Sequence, residues 1–224
     1  MHSVNSILAL FYRELKISYR NFSDILSILM FFLLGILIFV FSIGPNTEMF
    51  NEIGIGVIWT LILLSNNLSL RKFYQNDFND GSIILLHMSG LSYELIVLIK
   101  IMIIWIFLQL PFFIIIPLAA ILLNIELPNV NLILISFLIG SPILTSIASI
   151  SGSMNLLNNR NFAIGSVIIM ILSIPIIIFS VGIINASEEI VRAQLQILIG
   201  ILFFFLAVTP WVSAACIKLA IQNK

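Results

Sequence analysis

The chain has 224 residues, of which 61% are apolar and only 9% are charged, and its formal net charge is zero. This composition excludes an ordinary soluble globular domain and predicts an all-α, polytopic integral membrane protein embedded in a lipid bilayer. Because the charges balance, the chain shows no electrostatic bias toward nucleic acid, and we expect no nucleic-acid partner.

The first element is predicted as an amphipathic interfacial helix over residues 4–23, lying in the headgroup plane. At about 100° per residue, its apolar side chains fall on one face and its basic side chains on the opposite face. The apolar set is Leu8, Phe11, Leu15, Tyr19 and Phe22, and the basic set is Arg13, Lys16 and Arg20. We expect the basic face to meet anionic lipid.

Six membrane-spanning helices follow, each near the roughly 20 apolar residues that cross the hydrocarbon core. Their predicted bounds are residues 25–43, 53–70, 95–123, 132–154, 162–184 and 195–219. Pro111 and Pro117 predict a kink in the third span, and Lys100 near its start is expected to snorkel to the surface. Residues 1–224 are therefore interpreted as a single transmembrane domain.

The fourth predicted span carries a stripe of small and polar side chains. Ser141, Thr145, Ser149 and Ser153 recur every four residues, with Gly152 beside them. Such a face lets a neighbouring helix backbone approach closely, which favours a packing role over a pathway for a solute.

The basic residues orient the chain in the membrane. Six spans place both termini on one side, and all ten Lys and Arg residues except Arg192 then lie on that side or in segments next to it. By the positive-inside rule, both termini are predicted to be cytoplasmic.

Residues 71–94 form the long polar interruption between the second and third spans, and this orientation places them in the cytoplasm. The segment combines charges with three aromatic side chains that we expect to be exposed. Its candidate coupling residues are Arg71, Phe73, Tyr74, Asp77, Phe78, Asp80 and Gly81. One interpretation is a docking surface for a soluble partner, and the other is a solvated connection whose charges lie in water.

Several kinds of chemistry are missing from the sequence. It contains no GxxxxGK[ST], HExxH or CxxC motif, so a P-loop and the common metal sites are excluded. His2 and His87 have no neighbouring pattern of metal ligands, and the spans hold no carboxylate that would indicate proton coupling. We therefore predict a non-catalytic chain without a metal site, which receives energy from another subunit.

Short motifs in order along the chain carry a resemblance to a known family. They are FSIGP (41–45), GVIWTLILLSNNLSL (56–70), Asp77 and Asp80 with Gly81 and Ser82, Lys100 with Trp105, LIGSP (138–142) and TPW (209–211). In this order and spacing the chain resembles the CcmB family, the haem exporter permeases of cytochrome c maturation. It departs from the family pattern at Arg71, at 83–85 and at 89–92.

The resemblance implies an ABC-2-exporter-like permease in the bacterial inner membrane, most simply a homodimer. It implies a separate ATPase subunit that binds ATP and Mg, membrane subunits that handle haem, and a periplasmic haem chaperone. Residues 71–94 would then be the coupling loop to the ATPase. No haem ligand is evident within the spans, so we expect no cofactor bound by this chain itself.

Two alternatives remain open on the residues alone. One is an ABC exporter permease for a lipid, a polysaccharide or a drug, because nothing in the spans identifies the solute. The other is a non-transporting scaffold for membrane assembly, in which the stripe on the fourth span is the packing face.

Overall fold

The computed structural model describes residues 2–44, 47–70, 73–157, 162–183 and 186–223, which form helices and turns without a strand. The helices are α1 (His2–Arg20), α2 (Phe22–Ile43), α3 (Thr47–Leu70), α4 (Gln75–Asn79), α5 (Ser82–Met88), α6 (Tyr93–Ile104), α7 (Phe112–Leu122), α8 (Leu127–Leu157), α9 (Phe162–Val181) and α10 (Glu188–Gln222). A π-helical turn, Trp105–Gln109, joins α6 to α7. The all-α prediction is confirmed for this part of the chain.

Four apolar stretches within the described residues are long enough to cross a bilayer. They are Phe22–Ile43, Tyr93–Leu122, Leu127–Leu157 and Glu188–Gln222, and α3 and α9 contain the shorter apolar stretches Glu52–Asn67 and Gly165–Val181. Large apolar side chains such as Ile38, Ile114 and Phe203 are more than 60% exposed, as expected of surfaces that face lipid. The chain is a multi-pass membrane protein.

Helix α8 is the centre of the bundle. In its most apolar stretch 72% of the residues are buried, against 28–33% in the other three long stretches. It packs against α3, α4, α6, α7, α9 and α10. A central helix of this kind needs small side chains where its neighbours approach, which is what its sequence supplies.

Aromatic rings join α8 to the helices around it. Phe137 of α8 lies with its ring centroid 6.0 Å from those of Trp59 in α3 and Phe112 in α7, and 5.1 Å from that of Phe113 in an edge arrangement. Phe112 in turn meets Phe32 of α2 edge-on at 5.4 Å. Rings paired in this geometry contribute about 0.5–1.5 kcal/mol beyond their area burial.

The third predicted span is interrupted near its middle. The α-helix gives way to the π-helical turn at Trp105 and resumes at Phe112, directly after Pro111. Because proline lacks a backbone N–H and clashes with the preceding turn, it disfavours a regular α-helix there. The helix is thus irregular just before Pro111, where the sequence predicts a kink, whereas α7 runs through Pro117.

Helix α1 packs against α6 and the start of α2. Leu10 is buried in a small cluster with Ile96 and Ile103 of α6, while Leu8 and Tyr19 of the predicted apolar face are 61% and 75% exposed. Part of the predicted apolar face therefore remains exposed, because the side of α1 that packs against α6 is centred on Leu10.

A candidate coupling site at the junction of three helices

Residues 73–94 are folded rather than a solvated loop. The short helices α4 and α5 meet at Gly81, whose φ of 72° lies in the left-handed region that glycine adopts without a Cβ clash. Ser92 begins α6 by accepting a hydrogen bond from the backbone N–H of Leu95 at 3.3 Å.

The prediction that the aromatic residues of this segment are exposed is wrong. Phe73, Tyr74 and Phe78 are 6%, 0% and 7% exposed and belong to the main hydrophobic core. Residues three and four apart share a helix face, so Tyr74, Asp77 and Phe78 all point inward from α4. The opposite side leaves Asp80 exposed to solvent. Arg71, the remaining predicted coupling residue, lies outside the described residues.

Four charged side chains from α1, α4 and α6 form the ion-pair cluster, defined here as Arg13, Glu14, Asp77 and Lys100. Arg13 contacts Glu14 and lies 2.6 Å from Asp77. Lys100 contacts Asp77 and lies 3.2 Å from Glu14. Each cation therefore touches both carboxylates, and the four groups form a closed ring without net charge.

This cluster corrects two predictions from the sequence. Lys100 does not snorkel to the surface, since it is 3% exposed, and Arg13 does not point only toward lipid, since it binds Asp77. A charge removed from water is tolerated only where opposite charges and hydrogen bonds replace its hydration. Glu14, itself 4% exposed, supplies part of that replacement and was missing from the predicted site.

The ion pairs determine the protonation of the carboxylate on α4. Burial by itself would raise the pKa of Asp77, but the positive charges and hydrogen bonds of Lys100 and Arg13 outweigh it and hold that pKa below its usual range. Asp77 is therefore ionised at neutral pH and stays so under mild acid.

Tyr74 extends the site toward the centre of the bundle. Its hydroxyl lies 2.7 Å from the Ser149 hydroxyl of α8, which is 3.1 Å from the Ser213 hydroxyl of α10. The Lys100 ammonium lies 5.8 Å from the centroid of the Tyr74 ring, within the range of a cation–π contact. Burial raises the pKa of Tyr74, so the phenol remains neutral.

The small-residue stripe of α8 is where the segment docks. Ser141, Thr145, Ser149 and Gly152 are all buried, and Ser141 accepts a hydrogen bond from the Trp105 indole of the π-helical turn at 3.0 Å. A Cβ placed on Gly152 would lie 2.8 Å from the Cβ of Phe73, closer than such atoms approach. Glycine at this position lets Phe73, which precedes α4, pack directly on α8.

The site thus links a polar surface segment to four other helices, α1, α6, α8 and α10. Asp77 ties α4 to α1 and α6, and Tyr74 ties the same segment to α8 and α10. If α4 moves, these contacts either break or move the contacted helices with it. The arrangement can therefore transmit movement between the surface and the bundle.

The match to a family model decides what kind of protein holds this site. The model described as CcmB protein matches residues 5–220 of the chain. The chain belongs to the CcmB family. The family resemblance predicted from the short motifs is thereby confirmed, and it covers every element of the coupling site.

Relatives of this CcmB chain carry one name across several bacteria. It is 30% identical to Heme exporter protein B of Haemophilus influenzae over 94% of this chain and 96% of the relative. It is 29% identical to the protein of the same name from Rhodobacter capsulatus, over 96% and 99% of the two chains. The Escherichia coli protein of that name is 36% identical over 46% of each chain.

The Asp77 ion pairs predict how stability depends on pH. The pKa of Asp77 is lower in the folded chain than in the unfolded chain, where it is about 3.9. The ion pairs of Asp77 therefore stabilise the fold fully above the unfolded-state pKa. This stabilisation is lost as the pH falls through the lower pKa of the folded state. We expect the stability difference between the wild type and Asp77→Asn, measured by thermal unfolding in detergent, to be constant above about pH 5 and to shrink in stronger acid. The exposed Asp80→Asn variant is the control. A difference that stays constant down to pH 2 would contradict this assignment.

Proposed function

We propose that this chain is the membrane permease subunit of an ABC transporter for haem export in the biogenesis of c-type cytochromes. The observation that supports it is the CcmB family match over residues 5–220, together with relatives named Heme exporter protein B. In this proposal a separate subunit hydrolyses ATP, membrane subunits handle haem, and a periplasmic haem chaperone receives it. The permease acts as a homodimer in the bacterial inner membrane.

In this proposal the chain crosses the membrane six times, with α3 and α9 as the second and fifth spans and α1 lying in the interface. Both termini and residues 71–94 then face the cytoplasm. The charge distribution supports this orientation, since Arg192 is the one basic residue left on the opposite side. The segment 71–94 is the element that the ATPase subunit contacts.

Because Phe73, Tyr74 and Phe78 are buried, they cannot form the surface that the ATPase subunit contacts. These side chains and Asp77 transmit movement inward, while the ATPase meets the solvent side of the segment. Asp80 is exposed there, and on α5 Leu85 and Met88 are 66% and 77% exposed. Exposed apolar side chains beside a carboxylate suit a protein interface with an apolar centre and a polar rim.

A pull-down in mild detergent from the native membrane tests the function. We expect the chain to bring down a P-loop ATPase and membrane subunits that carry haem, identified by mass spectrometry and by haem absorbance of the eluate. An ATPase without haem partners would point instead to an exporter of another solute. Recovery of neither would favour an assembly scaffold.

The contact surface has its own test in the same preparation. Leu85→Asp with Met88→Asp should abolish recovery of the ATPase while the chain remains folded, because both side chains are already exposed. Ile190→Asp is the matched control, since Ile190 is 50% exposed at the start of α10, on the proposed outer side. Normal ATPase recovery with the double variant would refute the assigned surface and leave the family function untouched.

A further inference from the structure

A cavity of about 300 Å³ lies beside the ion-pair cluster, at the junction of α1 and α2. Its walls come from α1, α2, the α4 segment, α6 and the π-helical turn. One side is polar, with Glu14, Asn21, Asp24, Asn76 and Asp77. Its volume is at the lower end of the range of sites for small ligands.

The other side of the cavity is apolar. Ile25 and Ile28 of α2, Ile104 of α6, and Phe107 and Leu108 of the π-helical turn supply this apolar lining. Asp24 and Asn76 at the polar side are exposed, so the cavity is open there. A ligand with a polar head and an apolar tail fits a cavity divided in this way.

The charged residues that line the cavity indicate which type of polar head a ligand needs. Glu14, Asp77 and Asp24 bring three carboxylates to the wall, and Lys100 is the cation that lines it. Glu14 and Asp77 are already held in the ion-pair cluster. Asp24 forms no ion pair with any described side chain, so the lining has a carboxylate free to bind a cationic group.

Neutral donors lie near that carboxylate. The amide groups of Asn21 and Asn76 line the same wall and can donate hydrogen bonds to phosphate oxygens. An ammonium group at Asp24 and a phosphate at these amides are the two charged parts of a zwitterionic headgroup. The apolar wall formed by Ile25, Ile28 and Phe107 would receive the upper part of an acyl chain.

We propose that this cavity binds one phospholipid with a primary ammonium headgroup, of the phosphatidylethanolamine type, with Asp24 holding the ammonium group. A bound lipid would contact α1, α2 and the α4 segment together and so fix the interfacial helix against the coupling site. This assignment does not depend on the transported solute, because a lipid-binding measurement detects neither haem nor ATP turnover.

Native mass spectrometry of the full chain, or of the complex it forms, tests the proposal with three added lipids of equal acyl composition. Phosphatidylethanolamine should be retained more strongly than phosphatidylcholine or phosphatidylglycerol. Asp24→Asn should weaken its retention by about threefold to fivefold, the effect of losing one exposed ion pair. Asp24→Lys should shift the preference toward the anionic phosphatidylglycerol.

Glu188→Gln serves as the matched control, because Glu188 is an exposed carboxylate on α10 away from this cavity. Equal retention of all three lipids by the wild type, or unchanged retention by Asp24→Asn, would overturn the proposal. Soluble glycerophosphoethanolamine should bind far more weakly than the lipid. Equally strong binding would show a headgroup site without an acyl contact and would also overturn it.

Discussion

Replacing Lys100 with Met should destabilise the fold by about 3–5 kcal/mol, the usual cost of removing one partner of a buried ion pair. Met keeps much of the volume of the lysine stem but removes the ammonium group that contacts both Glu14 and Asp77. The two carboxylates then share the single cation Arg13. If the proposed function holds, a displaced α4 should also bind the proposed ATPase subunit less well.

Thermal unfolding in detergent, followed by tryptophan fluorescence, measures this effect. Lys218→Met is the matched control, because Lys218 forms a 3.3 Å ion pair with Glu94 but its side chain is 51% exposed. Exposed pairs contribute about 0–1 kcal/mol, so the control should be near the wild type. Adding Asp77→Asn to Lys100→Met restores charge balance and should recover part of the loss. Equal effects of the two lysine variants would show that the cluster does not stabilise the fold.

Gly152→Ala is expected to cost about 1–3 kcal/mol, the usual effect of overpacking a well-filled core. The added methyl group would lie 2.8 Å from the Cβ of Phe73, which is close to the backbone and cannot rotate away. The start of the α4 segment must then move off α8, which lengthens the Tyr74–Ser149 hydrogen bond. Under the proposed function, weaker coupling to the ATPase subunit should accompany the loss of stability.

The chain offers a matched control for this variant. Gly200 lies inside α10, and a Cβ added there meets no atom within 4 Å. Alanine is favoured over glycine inside a helix by about 1 kcal/mol, so Gly200→Ala should be neutral or slightly stabilising. If Gly152→Ala were as stable and as well coupled as Gly200→Ala, close contact between the segment and α8 would not be needed.

The architecture was largely predictable because it depends on properties spread over many residues. Each of these properties is visible within a short stretch of sequence. They are the apolar runs of sufficient length, Pro111 and the family motifs. The stripe of Ser141, Ser149 and Gly152 also marked the side of α8 that meets its neighbours. The number of spans and the orientation remain predictions from the same kind of pattern.

The site was predicted only in part, because its contacts join distant residues. Asp77 meets Arg13 across 64 positions and Lys100 across 23, and no local pattern encodes such pairs. One signal was available, since a lysine within an apolar helix requires a partner and Glu14 is the sole carboxylate of a basic helix. The prediction that Phe73, Tyr74 and Phe78 are exposed is wrong because it rests on the many charges of the segment, whereas the spacing of these residues fits one inward face.

The closed ring of charges also implies an order in which the helices dock while the chain is being synthesised. Arg13 and Glu14 leave the ribosome before their partner Lys100, which belongs to a helix synthesised on the order of 10 seconds later at usual elongation rates. Until then Glu14 has no cation from that helix, and α1 cannot reach its final position. Helix α1, although translated before α6, is thus fixed in place only after α2 to α5 have been made, and insertion of α6 completes its docking.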